Sequence, residues 1–383
     1  MGIRASARVI LGAVVSFGML ATVPGVALAA QPACGDTLMA NTTLTADLDC
    51  SAYAGNALTL GKNGIKLNLG GHTLTGYTGD DTNAAVYTER KDTTITNGTI
   101  QDAGYSVYLY GAKGTTVSSL TLNAEAIAST KDLGVYVEYG VNNTVSHVTT
   151  NGQYYGIFLY GSASNSVSYN TTTADDIGIY SEYDSRDTFS HNTTHAPYGI
   201  YNDYSGGSSY LYNTTNGGAG DGMYIDCDDY GPATVIGNTS NNNGDEGIVT
   251  YYCYVDPPGA PEPTLVKGNT ANGNASYGFY DYYSIGATFT KNTANSNGSD
   301  GFYFDYPGDH HITRNVAKHN TDSGIELADN YGIGYGVPAD ISRNVLKWND
   351  YGIYANYAVP DGVCHGNTIR HNTTDDFFSV NCS

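Results

Sequence analysis

Apolar positions in this 383-residue chain recur in step with glycine and asparagine, not at helical spacing. The phrase Gly199-Ile200-Tyr201 returns in variant form at Gly134, Gly156, Gly178, Gly222, Gly247, Gly278, Gly301, Gly324 and Gly352. Most steps are 21 to 25 residues, two are 31 and 28, and Ser106 holds the same place one turn earlier. The following residue is always apolar: Val107, Val135, Ile157, Ile179, Ile200, Met223, Ile248, Phe279, Phe302, Ile325 or Ile353. A second mark keeps pace at Asn170, Asn192, Asn213, Asn238, Asn269, Asn292, Asn315, Asn344 and Asn367. Three places before it comes another apolar residue, from Val167 and Phe189 through to Ile341. These runs are short, β-branched or aromatic, and cut by Gly, Asn, Ser and Thr, so they predict strands. A unit of about 22 residues with two or three short strands predicts one coil of a parallel β-solenoid, which buries little until it stacks on its neighbours.

The two marks then acquire roles. The glycine is expected to allow a tight bend into the strand. Stacked asparagines are expected to hydrogen-bond from coil to coil and satisfy turn backbone, which also accounts for their many Asn-x-Thr contexts without glycosylation.

Strand side chains alternate, so the second residue after each glycine should face outward. Those residues are Tyr108, Tyr136, Phe158, Tyr180, Tyr201, Tyr224, Val249, Tyr280, Tyr303, Glu326 and Tyr354. Coils about 4.8 Å apart would join these rings into an axial stripe. Two residues further on, and on the same face, come Tyr110, Glu138, Tyr160, Glu182, Asp203, Asp226, Tyr251, Tyr282, Asp305, Ala328 and Asn356. Tyrosine ladders stabilise a sheet surface by cross-strand pairing. Rings beside carboxylates also suit a sugar chain, which needs apolar contact and hydrogen-bond acceptors for its hydroxyls. Tyr136, Phe158, Tyr180, Tyr201, Tyr224, Tyr280 and Tyr303 are therefore the candidate carbohydrate-binding residues. Glu182, Asp203 and Asp226 fall on three successive coils, where like charges must hold a cation such as Ca²⁺ or keep a proton. No cofactor is otherwise required. Asp203 and Asp226 are also candidate catalytic carboxylates, because glycosidases use such pairs.

Charge and cysteine content narrow the setting. There are 37 acidic residues against 16 basic ones, a formal charge of −21, which disfavours nucleic acid as a partner. Met1 to Ala29 reads as a secretory signal: Arg4 and Arg8, an apolar stretch, then Ala27-Leu28-Ala29. No later stretch would span a membrane, so a secreted monomer is expected. Six cysteines allow 15 pairings, and proximity favours Cys34–Cys50, Cys227–Cys253 and Cys364–Cys382. Basic residues gather late: Lys291, Arg314 and Arg343 each precede a ladder asparagine, with Lys318 and Lys347 three places beyond it. They predict a cationic stripe on another face, which could steady the acidic protein or meet a polyanion.

"NGIKLNLGGHTLTG" (63–76), "CGDTLMANTTLTADLDC" (34–50) and the repeated glycine–asparagine units together resemble secreted right-handed parallel β-helix repeat proteins. That is the pectate-lyase-like superfamily, with its NosD-type proteins, carbohydrate-active enzymes and mannuronan epimerases. The resemblance spans about residues 34–375. It implies an all-β, single-stranded right-handed parallel β-helix of about 12–13 coils with disulfide-stapled ends. Residues 30–105 would supply the cap and first coils, 106–375 the repeats, and 376–383 a C-terminal cap. Loop excursions at 124–133, 253–264 and 329–340 would wall a binding face.

The segment "FYFDYPGDHHITR" resembles the Asp-Pro-His segment of mannuronan epimerases, although here "DYPGDHH" separates those residues. The resemblance implies proton abstraction from a sugar, with Asp305, His310 and His311 as catalytic candidates. The NosD likeness implies a metal-delivery scaffold, for which the chain lacks a Met, His or Cys ligand set. The expected function is polysaccharide binding on the outward Tyr/Asp/Glu face. Lyase, uronate epimerase or glycoside hydrolase activity would extend it, and a non-catalytic cell-surface or structural module is the alternative.

Overall fold

The computed structural model describes residues 31–77, 83–124, 132–227, 231–254, 263–330 and 337–382. The expected signal and most of the three loop excursions lie outside the described residues. Among the described residues there is no helix, and so none that could cross a membrane. The chain winds as a right-handed parallel β-solenoid of about 14 turns, slightly more than the repeat count alone predicted.

Each turn lays down up to three short strands, and the strands pair in parallel from turn to turn. In the first ladder Ile157, Ile179, Ile200, Met223, Ile248, Phe279, Phe302, Ile325 and Ile353 are successive register partners, ending on Phe377. All but the last are essentially inaccessible, as the repeat demands. Phe377 and Phe378 thus form a last rung rather than a separate lid. The second ladder stacks Val145, Val167, Phe189, Tyr210, Val235, Val266, Phe289, Ile312 and Ile341. The third ladder is polar inside where it carries Thr150, Thr172 and Thr194, and apolar later, where Ala294, Ala317 and Leu346 take over.

The asparagine ladder is continuous. Asn213 accepts the backbone N–H and the Nδ2 of Asn192, both at 3.0 Å. It donates its own Nδ2 to Phe189 O at 2.9 Å and to Asn238 Oδ1 at 3.0 Å. The residue before each ladder asparagine turns the corner in the left-handed region, as at Tyr169, His191, Tyr212, Lys291, Arg314 and Arg343. A second asparagine ladder, unforeseen from the sequence, runs five residues further on through Asn243, Asn274, Asn297, Asn320 and Asn349.

The glycines do something other than bend. Gly178 is not in the left-handed region; a Cβ there would sit 2.7 Å from Gly199 O and 2.8 Å from Thr194 Cβ. The column is glycine because neighbouring backbones and the threonine column leave no volume for a side chain. The three cysteine pairs match the proximity assignment, with Cys34–Cys50 and Cys364–Cys382 near the ends and Cys227–Cys253 buried mid-solenoid.

Candidate functional site

The outward residues of the first ladder form the aromatic stripe. Tyr108, Tyr136, Phe158 and Tyr180 stack in turn at centroid spacings of 4.9, 5.0 and 4.8 Å, within 10° of parallel. Tyr180 meets Tyr201 edge-on at 5.9 Å, and Tyr201 stacks on Tyr224 at 4.6 Å. The buried Val249 interrupts the run before Tyr280 and Tyr303, which meet at 5.5 Å and 64°. Because the rings lie face to face, their faces cover one another. What reaches solvent is ring edges and hydroxyls, so the stripe is a hydrogen-bonding surface more than a set of stacking platforms.

The electrostatics keep those hydroxyls protonated. Burial, then the carboxylates of Asp203, Asp221 and Asp226, push Tyr201 up to about 12. The same causes raise Tyr136, Tyr180 and Tyr224 further, with burial first and then Glu138, Glu182 and Asp226 respectively. Tyr108 donates its hydroxyl to Glu138 one rung along. These tyrosines are donors, and a phenol held this high is a poor general base.

The acids expected as a metal or catalytic set occupy the second outward column. Glu182 pairs in register with Asp203, and Asp226 with Tyr251. Burial raises Glu182, opposed by the Tyr180 hydrogen bond and aided by Asp203. Asp226 is 7% exposed. Among the described residues, however, the acids whose oxygens converge within 4.8 Å are Asp221, Asp245 and Glu246, and Asp300, Asp322 and Glu326. Asp221, Glu246 and Asp300 are the residues immediately before the ladder glycines, a column that also holds Tyr155, Tyr198, Tyr277 and Tyr351. That column keeps the period of the repeat, but the glycine that follows it masks the alternation of the strand. Burial pushes Glu246 to about 7 and Asp245 to about 6; for Glu246 the neighbouring Asp221 carboxyl adds to it, for Asp245 that of Glu246. Burial lifts Asp300 to about 8, with Glu326 and Asp322 adding to it, and Glu326 to about 7, with Asp322 adding to it.

The cluster inferred at 305–311 is divided. His310 is fully buried; its Nε2 lies 2.9 Å from Asp281 Oδ2 and its Nδ1 3.1 Å from Gly308 O. Asp281, also buried, accepts the Thr250 hydroxyl at 2.5 Å. His310 is a core residue packed against Phe289 and Phe304, not a surface base. His311 is exposed on the second ladder, opposite Thr288 and Asp340. Asp305 is on the first ladder, 4% exposed, with Oδ2 bonded to Asn330 Nδ2 at 2.9 Å. The three therefore serve three different surroundings.

Among curated proteins none matches the chain in sequence. The periplasmic alginate epimerase AlgG is 14% identical over 89% of this chain and 75% of its own, with a TM-score of 0.47. The AlgE6 A-module, a mannuronan C-5 epimerase from Azotobacter vinelandii, is 13% identical over 90% of this chain and 91% of its own, at 0.40. The surface adhesin PfbA of Streptococcus pneumoniae is 12% identical over 84% and 86%, at 0.43. The sequence model of the right-handed β-helix region matches residues 83–196, 133–282 and 263–374, well over half of the chain. The chain therefore belongs to the right-handed β-helix family.

Proposed function

We propose that the protein is an exported polysaccharide-binding β-helix whose binding surface is the outward face of the first ladder. The observation that carries this is the axial run from Tyr108 to Tyr224, a ring on every rung bordered by Glu138, Glu182 and Asp203. Phenol donors and carboxylate acceptors repeating at rung spacing match the hydroxyls of a sugar chain laid along the axis. The carboxylates favour a neutral polymer over an acidic one. Three disulfides and the signal-like start support an oxidising, extracytoplasmic setting.

A second reading is hydrolysis. Glu246 and Glu326 hold their protons to about 7, the property of a general acid near neutrality. Proton abstraction in a lyase or epimerase has less support, since His310 is buried and the stripe tyrosines are raised.

A panel of neutral glycans tests both. The unmutated protein should bind at least one, and Tyr201→Ala or Asp203→Ala should weaken that binding about tenfold, the loss of one or two well-placed hydrogen bonds. The same mixtures scored for new reducing ends report hydrolysis. A protein that binds no glycan removes the proposal.

A further inference from the structure

The third ladder turns cationic over the last turns, with a basic residue on three successive strands, in a chain whose formal charge is −21. Its strands are Thr293–Asn295, Val316–Lys318, Val345–Lys347 and Thr368–Arg370, which form a sheet of their own. Lys318, Lys347 and Arg370 are consecutive register partners. Lys291, Arg314 and Arg343 stand exposed at the corner leading into this face, all in the left-handed region. None of the four strands carries an acidic residue. Among the described residues, the ion pairs within 4.0 Å involve histidine only, so none of these six cations is paired with a described carboxylate.

Such an arrangement opposes folding. Like charges on adjacent strands repel, and the Lys347 ammonium is held below its usual range by desolvation, then by Arg370 and Lys318. Threonine or asparagine, used at equivalent places on earlier turns, would avoid that repulsion. No described carboxylate neutralises this patch, which is what an external anion requires.

The same face has an apolar border. Trp348, 45% exposed, stacks between His319 at 4.9 Å and His371 at 6.0 Å. Lys347 Nζ lies 5.9 Å from the Trp348 ring. Cations in two columns beside an aromatic edge fit a polymer that is both anionic and ring-bearing.

We propose that this face is a second binding site, specific for a linear acidic polysaccharide bearing one carboxylate per sugar. Cations repeat at about 4.8 Å along each column, comparable to the spacing of successive carboxylates on such a chain. Duplex DNA carries a charge about every 1.7 Å, far denser than the rungs supply, and the acidic remainder of the protein would repel it. The site is on a different ladder from the tyrosine stripe and does not depend on it.

Binding of an oligogalacturonate of about ten sugars, measured by calorimetry at low salt, tests this. The unmutated protein should bind, with affinity falling about tenfold or more between 50 and 200 mM salt, as expected when several charges are neutralised. Arg314→Glu with Lys347→Glu should weaken binding at least tenfold, and Lys318→Ala with Lys347→Ala should weaken it by a smaller factor. Tyr201→Ala should leave it unchanged, which separates this site from the tyrosine face. Thermal melts of the variants confirm that they fold. No binding by the unmutated protein, equal binding by the charge-reversed variant, or tighter binding of single-stranded DNA would each overturn the proposal.

Discussion

Asp187 stands where other turns carry asparagine. It follows Asn143 and Asn165 in one column, and its Oδ1 accepts the Asn165 N–H at 2.5 Å. An asparagine has an Nδ2 to donate; an ionised aspartate has only a second acceptor, and Asp187 Oδ2 is buried without a partner. Desolvation accordingly holds the Asp187 carboxyl up at about 7, and Asp184 beside it at about 8, with Asp187 adding to the latter. The folded state therefore binds protons that the unfolded chain has released. This stabilisation is complete below the ordinary carboxyl range near 3.8 and is lost as pH rises through about 7 to 8. The melting temperature should fall between pH 5 and pH 8.5. Asp187→Asn should flatten that slope and raise stability at pH 8.5 by about 1–3 kcal/mol, the cost of an unsatisfied buried group. Parallel slopes in the two proteins would contradict this account.

At the scale of the element, the ladders carry the fold because each corner residue satisfies backbone on two turns. Asn213 makes four hydrogen bonds of 2.9 to 3.0 Å through one amide. Removing it orphans a buried N–H, a buried carbonyl and two neighbouring amides at once. Asn213→Ala should cost at least about 3 kcal/mol in chemical denaturation, while Ser190→Ala, on an outward strand position, should stay within about 0.5 kcal/mol. Equal costs would mean the ladder is not what holds the turns in register. The ladder also bears on modification: Asn170, Asn192 and Asn213 are each 1% exposed, so their Asn-x-Thr contexts are not accessible acceptor sites in the folded chain.

For the whole molecule, contacts run only between neighbouring turns, so disturbances should remain local. Cys364 lies under the final rung and bridges to Cys382, beyond Asp375–Phe378. Replacing both cysteines by serine should raise amide exchange in residues 364–382 and leave exchange around Ile157, Ile179 and Ile200 unchanged. A global loss of protection would show that the solenoid melts as one unit. Two faces of this one scaffold carry opposite chemistry: tyrosine and carboxylate along the first ladder, lysine and arginine at the late end of the third.

The repeat by itself determined the solenoid, its inward columns and the asparagine ladder, because each follows from residues that must meet their equivalents one turn away, while proximity along the chain favoured the three cysteine pairs. It could also have shown the second asparagine column and the acids before each glycine, since both keep the same period. Tertiary structure decided what happens across a turn rather than along the stack. It put His310 against Asp281, residues with no shared place in the repeat, and drew Asp300, Asp322 and Glu326 together. It also made the glycine column a matter of space rather than bending, because the obstructing atoms belong to Gly199 and Thr194 on the adjacent turn. Periodicity specifies which residues stack; only the closed cross-section specifies which of them face one another, and how much room is left between.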